Sequence, residues 1–183
     1  NKKILLFAAV FMTAAAILAG CGSQQEQKTA KDTLVIGMEP TFPPFEFTEG
    51  DTYVGFDIDY SKAIAEKMGK KAEIKSLGFD ALIPALQSGQ IDMIASGMDA
   101  TPERKEQVNF TDIYFKGGYT VVVKKDNTTI NGFDDLTGKT VGAQVGTKAV
   151  DYAQEHGAVV KQFDQNTQGW MELEAGTCDA VVI

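Results

Sequence analysis

The 183 residues carry 17 Lys and Arg against 25 Asp and Glu, a formal charge of −8, and 44% of them are hydrophobic. That acidic balance excludes a nucleic-acid partner, whose phosphates need a basic face, while the apolar share supports one large domain or two small lobes. A single histidine and two cysteines form no cluster with metal-ligand spacing, so neither a metal nor another cofactor is expected.

Lys2 and Lys3 precede an apolar run over residues 4–18 that closes on Leu18-Ala19-Gly20-Cys21. A basic start, a short apolar stretch and small residues at its end make residues 1–20 a secretory signal. The run is shorter than the ~20 residues that a bilayer core requires. The tetrad resembles the bacterial lipobox, which implies that Cys21 becomes the lipidated (palmitate-bearing) first residue of the mature chain, with residues 21–31 as a polar tether. Cys178 is then left without a disulfide partner and reads as a small buried residue. The chain opens on Asn1 and stops on the apolar residues 180–183, which reads as a fragment lacking a C-terminal part.

Residues 33–37 read as a strand, followed by a loop over 39–47 that three prolines stiffen. Asp57 reads as the cap of a helix with Tyr60, Ala63, Ile64 and Met68 on one face, stopped by Gly69. A strand over 72–75 precedes a helix that Asp80 starts and Ser88-Gly89 ends. Residues 91–95 form a short apolar strand. Strand, helix, strand, helix, strand points to a parallel sheet with helices on its faces, and ligands of such sheets gather beyond the carboxyl ends of the strands. A β-branched strand at 119–124 and a polar break at 125–129 introduce a second unit. It has strands at 140–143, 159–163 and 180–183, and helices at 148–156 and 165–175. Residues 32–121 and 122–183 are the two expected lobes, the second incomplete.

The chemistry concentrates in the turn 96–104. Thr101 is a cap and Pro102 a first helical residue, so free N–H groups there invite an anion. Arg104 in that first turn opposes the helix dipole, which suits a carboxylate gripped by its two parallel donors. On residue spacing alone, a surface pairing of Arg104 with Glu103 or Glu106 stays equally open. Glu39 and Asp99 come to the same sheet edge by topology, and with Arg104 they offer both signs of charge, as a free amino acid requires. The turn 144–147 faces them from the second unit. It is a poor phosphate loop, lacking the further glycines and the Gly-Lys-Ser/Thr ending.

Gly55-Phe56-Asp57-Ile58-Asp59, Phe79-Asp80-Ala81-Leu82-Ile83-Pro84-Ala85-Leu86, Thr101-Pro102-Glu103-Arg104 and Phe110-Thr111 resemble the hallmark strings of family 3 extracellular solute-binding proteins of bacterial amino-acid ABC importers. The resemblance covers residues 33–183. It implies an α/β, two-lobed type II periplasmic-binding-protein fold, each lobe a mostly parallel sheet flanked by helices. It places ligand contacts at Glu39, Phe42, Phe79, Ser96, Gly97, Asp99, Arg104, Gln144 and Thr147. Arg104 and the Thr147 turn are expected to hold the α-carboxylate, the Gly97 carbonyl the α-ammonium, and Phe42 with Phe79 the side chain. Glu39 and Asp99 look most like the arginine-binding branch, and flat aromatics suit a guanidinium. Glu46, Asp57 and Asp59 are read as capping, surface or structural acids, and Lys148 as solvent-facing.

The resemblance further implies a monomeric, non-enzymatic receptor. It would be lipid-anchored on the outer face of the cytoplasmic membrane or in the periplasm, and would hand arginine or another basic amino acid to an ABC permease. The alternatives are a glutamine or histidine binder of the same family, a cyclohexadienyl dehydratase-like enzyme and the sensor domain of a receptor.

Overall fold

The computed structural model describes residues 32–183; the signal, Cys21 and the tether lie outside the described residues. Strand β1 (Thr33–Met38) alternates its side chains, and Leu34, Ile36 and Met38 are buried on one face. The hairpin β2 (Phe47–Glu49) and β3 (Thr52–Val54) follows; sequence patterning missed it because each strand is only three residues long, too short to show a period. Helix α1 (Phe56–Lys67) buries Ile58, Ser61 and Ala65 at helical spacing. It ends in paired bonds from Gly69 N to Glu66 O and from Lys70 N to Ala65 O, the 6→1 and 5→2 pattern that a left-handed glycine permits. Its N-cap is Gly55, with no side-chain cap bond, so Asp57 is not the expected cap.

Strand β4 (Lys71–Ser76) pairs with β1 in parallel. A 3-10 turn at Phe79–Ala81 leads into α2 (Leu82–Gln87), so Asp80 lies in that turn. Pro84 falls in the first turn of α2, where a missing N–H costs least. Strand β5 (Met93–Ile94) is shorter than the expected 91–95 and pairs with the other side of β1. The two faces of this sheet carry separate cores. Ile58 and Ala65 of α1 cover Leu34, Ile36 and Met38, while Phe79, Leu82, Ala85 and Ile91 pack with Val35 and Ile94. Leu82 is fully buried. Leu82→Ala is therefore expected to cost about 2–5 kcal/mol in urea unfolding, the range for a cavity left by a buried leucine.

A single helical turn α3 (Pro102–Lys105) precedes the second sheet. That sheet contains β6 (Val121–Val122), β7 (Thr140–Gln144), β8 (Val159–Phe163) and β9 (Ala180–Val182). Helices α4 (Lys148–Glu155) and α5 (Asn166–Ala175) connect the parallel strands, and β6 runs antiparallel to β9. Val141, Ala143, Ala149, Val150, Ala153, Ala180 and Val182 form its core. Cys178 is buried and free, and burial raises its thiol pKa, as a packing residue requires.

The strand orders position everything that follows. The first sheet reads β4-β1-β5 and the second β6-β9-β7-β8. In each, the chain leaves a central strand, visits one neighbour, and returns to the opposite side. β1 and β7 are thus switch points, and a crevice opens beyond the carboxyl end of such a strand. Glu39 directly follows β1 and Gln144 ends β7.

Candidate functional site

The site starts from the turn after β5. Gly97 has φ +55°, a conformation that L side chains rarely adopt, and a Cβ there would stand 3.3 Å from the ring of Phe42. Its N–H donates to Asp57 Oδ2 at 3.0 Å. Ser96 is buried beside it; its hydroxyl accepts from the Glu39 N–H at 3.0 Å and donates to Glu46 Oε1 at 2.8 Å. The loop after β1, the turn after β5 and the start of α1 are thereby tied into one floor.

Glu39 joins that floor to the second sheet. It is 3% exposed, and its Oε2 accepts from Thr41 Oγ1 at 2.5 Å and from Gln144 Nε2 at 2.9 Å, 105 residues away. Gln144 Nε2 also donates to the Asp164 carbonyl, and Gln144 Oε1 accepts from Asn166 Nδ2 at 3.3 Å. The Asn166 N–H returns to Thr41 Oγ1 at 3.1 Å. Burial raises the pKa of Glu39, and the hydrogen bonds from Thr41 and Gln144 oppose that rise. A cavity of about 60 Å³ lies along this seam. Of the residues expected at the site, Glu39, Phe42, Phe79, Ser96, Gln144 and Thr147 line it; Glu46, Tyr119 and Asn166 line it unforeseen.

Arg104 sits behind Phe79. Thr101 caps α3 by accepting from the Arg104 N–H at 3.3 Å, with Pro102 at the first helical position, as the sequence suggested. With four residues, α3 is too short to form the expected anion site from its dipole, so the guanidinium supplies the charge. That group is 8% exposed, which settles it away from any solvated face with Glu103 or Glu106. Its Nη1 donates to the Asp99 carbonyl at 3.0 Å and its Nη2 to the Gly146 carbonyl at 2.9 Å, while its carbon lies 5.4 Å from the Phe79 ring centroid. Two of its five donors are thus spent on carbonyls, one in each half of the molecule.

Asp99 departs from expectation. Its carboxylate accepts from the Tyr119 hydroxyl and lies 3.9 Å from Arg104 Nη1. It lines a separate, wider cavity of about 520 Å³ with Tyr119, Phe133, Lys148 and Tyr152, not the seam that holds Glu39. The physical reason is the turn itself. The Asp99 carbonyl accepts from both Thr101 N–H and Arg104 Nη1, which fixes the backbone so that the side chain swings toward Tyr119. The Asp99 carboxylate therefore lies beside Arg104 and Tyr119 and does not line the cavity that holds Glu39. Lys148 pairs with Asp151 at 2.8 Å, consistent with its solvent-facing reading.

A family model described as bacterial extracellular solute-binding proteins, family 3, matches residues 34–175. The chain belongs to this family. Family 3 membership gives it the type II periplasmic-binding-protein fold, with two α/β lobes. The arginine-binding extracellular protein ArtP of Bacillus subtilis (strain 168) is 38% identical over an alignment that spans all of this chain and 72% of the relative. A solved ancestral arginine-binding protein bound to arginine is 47% identical with a TM-score of 0.81, covering 84% of this chain and 70% of that one. A solved ancestral amino acid-binding protein, described as a precursor of cyclohexadienyl dehydratase, is 40% identical with a TM-score of 0.80, covering 83% and 70%. The chain thus spans about 70% of the length of these family 3 proteins and their solved neighbours.

For this family 3 chain, Glu46 was the hardest site residue to find from sequence. The sequence reads it only as a capping, surface or structural acid; it is 1% exposed and structurally hydrogen-bonded to Ser96. Its local signal is the bridge that pairs Phe42 with Glu46 and folds the proline loop back on itself. Asn166 carried no signal beyond its place at the first turn of α5.

Proposed function

We propose that this chain is the ligand-capturing part of an amino-acid importer's receptor, binding arginine, or failing that another basic amino acid, between its lobes (residues 32–121 and 122–183). The observation that carries the reading is Glu39, a buried carboxylate at the crossing of two switch points, walled by Phe42 and Phe79. A cationic side chain there gains a charge-assisted hydrogen bond and stacks on flat rings. The names of the similar proteins, which bind arginine, support the same choice. In this reading Arg104 exchanges its bond to the Gly146 carbonyl for the ligand's α-carboxylate, helped by the Thr147 turn. The Gly97 carbonyl takes the α-ammonium, and Ser96 and Gln144 hold Glu39 in place.

The receptor is proposed to act as a monomer outside the cytoplasm. It would be anchored through a lipidated Cys21 after loss of residues 1–20, and would pass its ligand to an ABC permease. Among the described residues no helix is long and apolar enough to cross a membrane.

Closure follows from contacts that exist only when the lobes meet. Gly146 is one of them: it has φ +77°, and a Cβ there would lie 2.9 Å from Asp80 Cβ in the facing lobe. Gly146→Ala adds about 1–2 kcal/mol of left-handed strain before the clash. It is expected to weaken ligand affinity roughly tenfold by titration calorimetry, with the unliganded fold intact by circular dichroism.

The deciding experiment is a thermal-unfolding screen against the free amino acids. L-arginine at 100 times its dissociation constant should add about 2.7 kcal/mol to unfolding. A shift with glutamine or histidine and none with arginine would overturn the ligand choice. An enzymatic reading has one observation in its favour, the similarity to a dehydratase precursor. A dehydratase needs a general acid at the leaving hydroxyl, and Glu39, with its raised pKa, is the group that would serve. Product formed from prephenate or arogenate would decide for it.

A further inference from the structure

Three buried side-chain oxygens among the described residues have no hydrogen-bond partner: Glu46 Oε2, Asp57 Oδ1 and Ser61 Oγ. The first two belong to carboxyl groups that are fully buried and lie within hydrogen-bonding reach of one another. The other oxygen of each is well occupied. Glu46 Oε1 accepts from Ser96 Oγ at 2.8 Å. Asp57 Oδ2 accepts from the Gly97 N–H and the Tyr114 hydroxyl, each at 3.0 Å. Two carboxylates cannot face each other this way without water or a cation between them, because both oxygens are acceptors and both charges are desolvated. One proton removes the whole conflict: it supplies the missing donor, satisfies both orphaned oxygens and leaves one charge instead of two.

We infer that Glu46 is a neutral carboxylic acid in the folded protein at neutral pH, that it donates from Oε2 to Asp57 Oδ1, and that this acid–carboxylate pair positions the Ser96–Gly97 turn. The assignment of the proton to Glu46 follows from the partners. Asp57 Oδ2 already receives two donors that stabilise its charge, whereas Glu46 receives one and faces the Asp57 and Glu39 carboxylates. Burial and then the Asp57 charge push Glu46 up to about 9, with Ser96 opposing and Glu39 adding a little. The groups that face the pair are Glu39 after β1, Ser96 after β5 and Tyr114 ahead of β6. None is cationic, so no positive charge competes with the proton for the site.

Glu46 is in this account a positioning residue. It lines the cavity itself and also holds Ser96, whose hydroxyl accepts from the Glu39 N–H. A neutral Glu46 leaves Glu39 as the anion of the cavity, which matches one cationic group on a ligand. That last consequence rests on the proposed function; the shared proton does not.

The test is made on the ligand-free chain, so that it stands apart from the ligand choice. Infrared difference spectra of wild type and Glu46→Gln at pH 7 should contain the carbonyl stretch of a protonated carboxyl that the variant lacks. A folded pKa above the unfolded one means that the folded chain holds the extra proton. Wild-type stability attributable to Glu46 should therefore decline as pH rises from about 4.5 to about 9 and level off beyond. Glu46→Gln, whose amide can donate to Asp57 and whose carbonyl can accept from Ser96, should flatten that slope. Glu46→Ala should lower the unfolding midpoint well below that of Glu46→Gln. If Glu46→Gln fails to fold, Asp57→Asn serves instead, shifting loss of the infrared band to lower pH by removing the neighbouring charge. A wild-type spectrum without the band, or parallel pH slopes in wild type and Glu46→Gln, would overturn the inference.

Discussion

Arg104→Ala is expected to weaken capture of L-arginine by roughly 30-fold or more while the chain stays folded. The guanidinium is buried, sits against Phe79 and reaches carbonyls on both sides of the seam. Removing a buried, hydrogen-bonded charge opposite a ligand carboxylate costs about 2–5 kcal/mol, roughly 30- to several-thousand-fold in affinity. Arg104→Lys keeps the charge but not the planar fork. An ammonium lacks the two parallel donors that grip a carboxylate while a further N–H holds the Asp99 carbonyl, so it should recover only a small part of the loss. Titration calorimetry of both variants checks this, with far-ultraviolet circular dichroism confirming the fold. Lysine equal to wild type would mean that Arg104 clips the lobes together and touches no ligand.

Glu39→Gln should strike arginine affinity selectively. The substituted amide keeps an acceptor for Thr41 Oγ1 and Gln144 Nε2, so the polar chain across the seam survives. What is lost is the buried negative charge, worth about 2–5 kcal/mol to a cationic side chain and much less to a neutral one. The arginine-to-glutamine affinity ratio should therefore fall by at least about tenfold. Acidification should reproduce the effect in the wild type. The raised pKa of Glu39 means that it begins to take up a proton at higher pH than an exposed glutamate. Arginine affinity should accordingly decline early on the acid side, and glutamine affinity should not follow it.

The sequence made the fold legible where periodicity ran long. α1 announces itself by apolar spacing and by its stop at Gly69, and β1 by the run Leu34-Val35-Ile36. Short elements were overextended: β5 pairs over two residues, although Ile91 to Ala95 is apolar except for Asp92. Local rules also misplaced acids whose partners are far away. Asp57 looks like a cap because it stands at a helix start, yet its carboxylate is committed to Gly97, 40 residues on. Asp99 shares a turn with Arg104, which suggested a common pocket, but its own backbone carbonyl holds the guanidinium and turns the side chain toward Tyr119.

The site was legible to the extent that topology is. Glu39 and Gln144 are separated by 105 residues and nothing in their spacing relates them. The rule that central strands open crevices at their carboxyl ends brings both to one place before any distance is known. Glu46 reads from sequence only as a capping, surface or structural acid, for the opposite reason. Its role depends on burial and on one neighbouring carboxylate, and neither leaves a mark on residue order.

The most direct measurement of the central claim is a crystal structure of this chain grown with L-arginine. The account predicts the α-carboxylate on the Arg104 guanidinium and the ligand's own guanidinium between Phe42 and Phe79, hydrogen-bonded to Glu39. Density for arginine in the reverse orientation, or seated in the wider cavity beside Asp99 and Tyr152, would contradict it.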